Sequence, residues 1–410
     1  MWTRPWKMVE GFAVGAGLVL VGLLLQFSAG PIVWSNLSFP VNFIILAGYL
    51  LAMGLVYAFR NKVYSFKFLS SYAAAIPALA YAVALTAIMG LTKQVPDGHP
   101  ASDPLGLSRM LSFWPFVLIY IWVSVIVAQA TINKALHFKW RDVPFMLNHA
   151  GLLIVMLCAT LGNADMQRLK MTIHKSSPEW RATNDQGKIV ELPLAIQLKA
   201  FKIYEYPPKL MLVNGKTGDP IPKENPTTLI VDSTFKTADL QGWNIKLNKY
   251  LDEAAPLMTR DTTNYLPWYS SGAMTAINIT ATSPDGKVKR TGWVTCGSYH
   301  FPYQVLSLDG KISIAMPERE PQRYLSSVEL MTQAGLHAFA DIEVNRPLSV
   351  EGWKIYQLSY DTSMGRWSET SVLELVRDPW LPFVYVGLGM MMLGAVFMFL
   401  SLQRRKETKE

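Results

Sequence analysis

Residues 145–163 read FMLNHAGLLIVMLCATLGN, and residues 195–204 read AIQLKAFKIY. The first stretch has no Asp, Glu, Lys or Arg, and its length is close to the roughly 20 residues with which a helix crosses a bilayer core. The second alternates apolar and polar side chains, which is the period of a half-buried strand. The change between these two patterns near residue 164 predicts a membrane domain followed by a β-rich domain.

Six segments share the apolar character of the first stretch, and none contains a charged side chain. They are Gly11–Ala29, Val41–Phe59, Ser71–Leu91, Phe113–Ile132, Phe145–Asn163 and Trp380–Leu402. We therefore predict a membrane domain of five helices at 1–163, a β-rich domain at 164–379, and a last helix with a basic tail at 380–410. An alternative for the first segment is a signal peptide, but its apolar run is long for one.

The charge distribution predicts the orientation. The chain carries a net charge of +8, and four pieces account for all of it: residues 1–10 (+1), 60–67 (+3), 133–144 (+2) and 403–410 (+2). The regions on the opposite side, 92–112 and 164–379, are neutral. Because basic loops stay in the cytoplasm, both termini are predicted to be cytoplasmic and the β-rich domain extracytoplasmic. No basic face with interleaved aromatic residues is present, so we expect no nucleic-acid partner.

Residues 164–379 contain about ten alternating segments separated by turn signals such as Asp285-Gly286 and Asp309-Gly310. This spacing predicts an antiparallel, sandwich-like all-β domain. The pattern in Glu318–Ala340 is ambiguous, and we expect a short helix there.

Motifs of independent enzymes are missing from the sequence. No C-x-x-C, C-x-x-C-H, H-E-x-x-H, P-loop or G-x-S-x-G sequence occurs, and Cys158 and Cys296 are far apart. No catalytic residue is predicted, and both cysteines are expected to be packing residues. Transport coupled to ions is disfavoured because the helices lack charged groups. Five histidines lack a second ligand at metal spacing and are interpreted as solvated or structural: His99, His137, His174, His300 and His337.

His149 is the one histidine inside an apolar segment. With the helix starting near Met146, it lies about 5 Å from the cytoplasmic end at a rise of about 1.5 Å per residue. Neutral imidazole is a natural axial ligand of haem iron, and the small residue Gly151 would let a flat ring approach. His149 is therefore a candidate haem ligand. The alternative is an interfacial histidine that hydrogen-bonds a neighbouring helix or water.

The C-terminal part resembles a known family. The stretches that carry the resemblance are Val344–Leu348 (VNRPL), Gly352–Tyr360 (GWKIYQLSY) and Asp378-Pro379 before the last helix, and two further stretches agree, 192–206 and 22–42. They resemble ResB-like (CcsB-type) proteins of system II cytochrome c maturation. This resemblance implies a subunit that works with a ResC-like (CcsA-type) membrane partner to export haem b and to ligate it to the C-x-x-C-H thiols of apocytochrome c.

The same resemblance implies that the chain is an accessory subunit of a haem lyase rather than an enzyme on its own. A membrane histidine of the family is thought to hold haem near its entry, and this role maps onto His149, with a second axial histidine from the partner. The β-rich domain would dock apocytochrome or shape the partner's attachment site, with Tyr356, Gln357 and Tyr360 as candidates, although their alternation is that of any half-buried strand. The rival hypothesis is a membrane-anchored apocytochrome chaperone that does not bind haem.

Overall fold

The computed structural model describes residues 2–95, 99–259 and 263–407. The chain divides into two compact units, one formed by residues 1–167 with 376–410 and the other by residues 168–375. The first unit is helical and the second is built of antiparallel strands. The fold class predicted from the sequence is therefore confirmed.

The helical unit contains six helices that are long and apolar enough to cross a membrane, among the described residues. They and one short helix, α3, have these bounds: α1 Met8–Ala29, α2 Val41–Phe59, α3 Tyr64–Phe68, α4 Tyr72–Leu91, α5 Trp114–Leu136, α6 Val143–Gly162 and α7 Leu381–Glu407. Proline lies in the first turn of α5 and of α6. A missing N–H costs little at that position, so these prolines favour the helix starts.

Helix α6 begins earlier than the sequence pattern predicted. It starts at Val143, directly after a 3-10 turn at Trp140–Asp142, instead of near Met146. His149 therefore lies in the second turn, about 9 Å from the helix start at a rise of about 1.5 Å per residue.

The β unit contains seventeen strands among the described residues. They are β1 Gln167–His174, β2 Glu179–Asn184, β3 Ile189–Glu205, β4 Lys209–Asn214, β5 Thr228–Ile230, β6 Thr237–Leu240, β7 Trp243–Met258, β8 Thr263–Pro267, β9 Met274–Thr282, β10 Lys289–Thr295, β11 Leu306–Ser307, β12 Ile312–Ala315, β13 Pro321–Thr332, β14 His337–Glu343, β15 Leu348–Val350, β16 Trp353–Tyr360 and β17 Thr370–Arg377.

These strands form three sheets. The largest has eight strands in the order β14-β13-β3-β2-β1-β17-β16-β15 and its own apolar core. A five-stranded sheet contains β10-β9-β7-β6 with β8 on β7, and a four-stranded sheet has the order β11-β12-β4-β5. Buried residues of both smaller sheets, such as Ile277 of β9 and Leu212 of β4, belong to one core cluster. The two smaller sheets therefore pack face to face as a sandwich.

The predicted turns of the β unit are confirmed, but the predicted short helix is not. Gly286 and Gly310 take positive φ values of 71° and 80° in the β9–β10 and β11–β12 turns, as their pairing with Asp predicted. The prediction of a short helix in Glu318–Ala340 is wrong, because this segment forms most of the β13–β14 hairpin. Alternate residues of β13, including Val328 and Leu330, are buried in the core of the large sheet, and this long-range packing selects a strand.

Candidate functional site

His149 lies half-buried on α6, where its ring is fixed by its own helix. Its Nδ1 is 3.0 Å from the carbonyl oxygen of Phe145. The ring stacks on that of Phe145, with centroids 3.7 Å apart and planes 16° from parallel. A carbonyl oxygen can only accept, so in the neutral imidazole Nδ1 carries the proton and Nε2 keeps its lone pair. A donor bond from one ring nitrogen to a carbonyl is also the arrangement that orients histidines which bind metals through the other nitrogen.

The other intramembrane polar side chains serve a different purpose. Asn42, Gln129 and Gln26 make hydrogen bonds to neighbouring helices or segments of the helical unit. The described hydrogen bond of His149 stays within α6, so this side chain does not tie two helices together. Among the described residues His149 makes no hydrogen bond to a neighbouring helix, and its interpretation as a haem ligand or as an interfacial histidine bonded to water stays a prediction.

Gly151 has a different role from the one expected. A Cβ built on Gly151 would lie 2.6 Å from the carbonyl oxygen of Gly387 on α7, and one on Gly387 would lie 2.7 Å from the carbonyl oxygen of Gly151. The small residue thus allows α6 and α7 to approach each other closely, as glycines do in membrane helix pairs. It does not make room for a flat ring beside His149, since residues two apart point to nearly opposite sides of a helix.

The helical unit also contains an apolar cavity of about 540 Å³ between α2, α5, α6 and the segment after α1. Its lining includes Tyr49, Tyr120 and Met156. Met156 lies seven residues beyond His149, or about 10 Å along the helix axis. His149 does not line this cavity.

Asp165, which the sequence reasoning missed, joins three helices at the end of α6. Its carboxylate accepts hydrogen bonds of 2.7 Å from Nε1 of Trp380, from Nδ2 of Asn42 and from the backbone N–H of Phe39. Burial opposes its ionisation, but these donors outweigh that effect and lower the pKa of Asp165 below its usual range. Its partners lie more than 100 residues away in sequence, so no local pattern could have identified the cluster.

A second cluster that the sequence did not reveal lies in the β unit. Oε2 of Glu205, at the end of β3, is 3.4 Å from Nε of Arg319 and 3.4 Å from Nη1 of Arg366. Arg319 also contacts Asp252 at 2.7 Å, and Arg366 donates to the carbonyl oxygen of Ala273 at 3.2 Å. Burial raises the pKa of Glu205, and the two guanidinium groups offset this only in part. A partly desolvated ion triad therefore connects the large sheet with the segment before β9.

This triad forms one wall of a cleft of about 380 Å³ within the β unit. Aromatic and loop residues complete the lining, among them Tyr299, Phe301, Tyr303 and Trp367. Cys296 also lines the cleft, and burial raises the pKa of its thiol. Because a desolvated thiol is a poor nucleophile, its surroundings do not favour thiol chemistry.

The remaining candidates do not converge. Among the described residues no group of three or more His, Cys, Asp and Glu side chains is placed to bind a metal ion. Gln357 accepts hydrogen bonds from Ser326 at 2.6 Å and Ser371 at 3.0 Å, and Tyr360 stacks on Phe201. These contacts favour a structural role for Gln357 and Tyr360.

Comparison with known protein families gives a match over the middle and C-terminal parts of the chain. A family model described as the ResB-like family matches residues 135–368, which is more than half of the chain. The match includes His149 and the stretches Val344–Leu348 and Gly352–Tyr360 that carry the resemblance. No curated protein matches the chain significantly.

Proposed function

Because this chain belongs to the ResB-like family, which is associated with cytochrome c biogenesis, we propose that it is a membrane subunit of a system II cytochrome c maturation complex. In this role it works with a ResC-like (CcsA-type) membrane subunit. Haem b is the cargo that the pair moves outward, and apocytochrome c with its C-x-x-C-H thiols receives it. The family match over more than half of the chain is the observation that carries the proposal.

His149 is the residue of this chain to which we assign haem binding. Because Nδ1–H is bonded to the carbonyl oxygen of Phe145, the neutral imidazole presents the lone pair of Nε2 as its ligand atom. The stacked Phe145 ring fixes the orientation of the imidazole. Phe145 covers a face of the ring and not its Nε2 edge, so the residues present fit an axial ligand of haem iron. The haem, which is the cargo, would be held through its iron, and this chain would orient the imidazole that holds it.

The partner must complete the haem site. The apolar cavity of the helical unit is lined by Met156, about two helical turns from His149, and His149 does not line it. A haem bound to Nε2 would therefore be enclosed by the ResC-like subunit, which would also supply the second axial ligand. This arrangement makes haem binding a property of the complex.

The charge distribution supports one orientation in the bacterial inner membrane. The basic pieces at residues 60–67, 133–144 and 403–410 belong on the cytoplasmic side with both termini. The N-terminal end of α6, close to His149, then faces the cytoplasm, where haem would enter. The β unit lies outside, where apocytochrome c receives its haem.

The second candidate is a docking scaffold for apocytochrome that binds no haem. The distance between His149 and the described apolar cavity favours this reading, because haem needs an enclosing apolar surface. The reduced absorption spectrum of the complex separates the two candidates.

The proposed function is tested by deletion. Removing this protein from its host should abolish covalent haem attachment to c-type cytochromes, measured by peroxidase staining of haem in denaturing gels. A plasmid copy should restore the staining, while b-type cytochromes should be unaffected throughout. Fully haem-loaded c-type cytochromes in the deletion strain would contradict the proposal.

A further inference from the structure

We propose that the cleft beside Glu205 and Arg366 binds an extended polypeptide segment through its main chain. That the segment belongs to apocytochrome c rests on the proposed function above. The cleft volume of about 380 Å³ lies in the range of ligand-binding pockets, about 300–1,000 Å³.

The cleft offers both hydrogen-bond acceptors and donors to a ligand. Both arginine contacts of Glu205 are made to Oε2, and its Oε1 has no hydrogen bond among the described residues. Arg366 uses two of its N–H groups, towards Glu205 and the carbonyl oxygen of Ala273, and a guanidinium has five. A ligand can therefore donate to the carboxylate and accept from the guanidinium at the same place.

The charge balance selects the class of ligand. Two glutamates and two arginines line the cleft, so its formal charges cancel: Glu205, Glu318, Arg319 and Arg366. A small anion or a small cation would meet as much repulsion as attraction here. A peptide main chain is neutral and alternates N–H donors with C=O acceptors, and so it matches both kinds of group.

The rim of the cleft has the composition of a protein-binding surface. Tyr303 is 70% exposed and Tyr299 is 45% exposed, and both line the cleft. Exposed tyrosines and desolvated arginines are the side chains most often dominant in binding interfaces. Rigid aromatic rings can pack on many different side chains, so recognition of a main chain needs little sequence specificity.

An unfolded segment suits this mode of binding. Folded proteins use almost all buried main-chain N–H and C=O groups within their own secondary structure. A segment that has not yet folded offers all of these groups to Glu205 and Arg366. This condition is met by an apocytochrome segment that is waiting for haem.

The test measures peptide binding to the full-length protein in detergent. The probe is a short fluorescein-labelled peptide that contains Ser-x-x-Ser-His, in which serines replace the cysteines of the haem-binding motif. Fluorescence anisotropy should report saturable binding. Tyr303→Ser and Arg366→Gln should each raise Kd about tenfold, which corresponds to about 1.4 kcal/mol. Phe339→Ser on β14 and Arg346→Gln in the segment between β14 and β15 are controls, at positions 72% and 81% exposed, and should leave Kd unchanged.

Two further peptides test recognition of the main chain. A scrambled peptide should bind as tightly as the original, and a peptide with N-methylated amides should bind about tenfold more weakly. Tyr303→Ser keeps the test valid if Arg366→Gln fails to fold, because the exposed tyrosine ring is outside the ion triad.

Three results would overturn the inference: no binding to the wild-type protein, cleft variants that bind like the wild type, or an N-methylated peptide that binds as tightly as the original.

Failure of the cleft inference is distinguishable from failure of the proposed function. If haem attachment in cells is lost on deletion while these peptides do not bind, the cleft inference alone is wrong. If the peptides bind but deletion leaves haem attachment intact, the maturation role is wrong.

Discussion

The indole N–H of Trp380 donates to Oδ2 of Asp165 at 2.7 Å, although the two residues are 215 positions apart. The same carboxylate accepts from Asn42 and Phe39, both at 2.7 Å. One charged group therefore connects the start of α2, the end of α6 and the start of α7. These are the ends of α6 and α7 at which the chain leaves and re-enters the helical unit.

Asp165→Asn is expected to destabilise the helical unit by about 1–2 kcal/mol, because charge-assisted hydrogen bonds are replaced by weaker ones. The folded-state pKa of Asp165 is lowered, so its contribution is present above the unfolded carboxyl pKa of about 3.9 and is lost as the pH falls through the lower folded value. Thermal unfolding in detergent at several pH values measures this. Asp185→Asn, at a half-exposed turn carboxylate with a 3.8 Å lysine contact, is the control. Equal melting temperatures for the two variants at pH 7 would contradict the role of Asp165.

Gly387→Ala is expected to separate α6 from α7. The added Cβ would meet the carbonyl oxygen of Gly151 at 2.7 Å and a methyl group of Val155 at 2.8 Å. Overpacking of this kind costs about 1–3 kcal/mol. Gly389→Ala on the same helix is the matched control, because its Cβ would meet nothing within 4 Å. Thermal unfolding should show a lower midpoint for Gly387→Ala only, and the same midpoint in both variants would refute the close α6–α7 contact.

Cys296 is expected to react slowly with thiol reagents in the folded protein. Burial raises the pKa of its thiol, so little thiolate is present at pH 7.5. In a Cys158→Ser background, maleimide labelling should be at least about tenfold slower in the folded protein than in denaturant. Rapid labelling of the folded protein would contradict this expectation and show a reactive thiol in the cleft.

The sequence predicted those parts of the structure that depend on local pattern. The six apolar helices follow from uninterrupted runs of uncharged residues, and the β9–β10 turn follows from Asp285-Gly286. The β13–β14 hairpin was missed because its strand character comes from burial of Val328 and Leu330 against a distant sheet. Local periodicity does not contain that information.

The candidate site was predictable to a similar extent. His149 stands out in the sequence as a histidine in an apolar segment, but the packing of Gly151 against Gly387 could not be inferred. The Asp165 cluster and the ion triad of Glu205 join residues far apart in the chain. Such clusters become visible only when the fold brings their members together.

Haem binding by His149 is tested most directly by the reduced absorption spectrum of this protein purified with its ResC-like partner. His137→Ala is the matched control for His149→Ala, because Nδ1 of His137 also lies 3.0 Å from the carbonyl oxygen four residues earlier, that of Asn133. We predict that His149→Ala loses the haem b signal, that added imidazole restores it, and that His137→Ala keeps it. An unchanged spectrum in His149→Ala would contradict the assignment of haem binding to this chain.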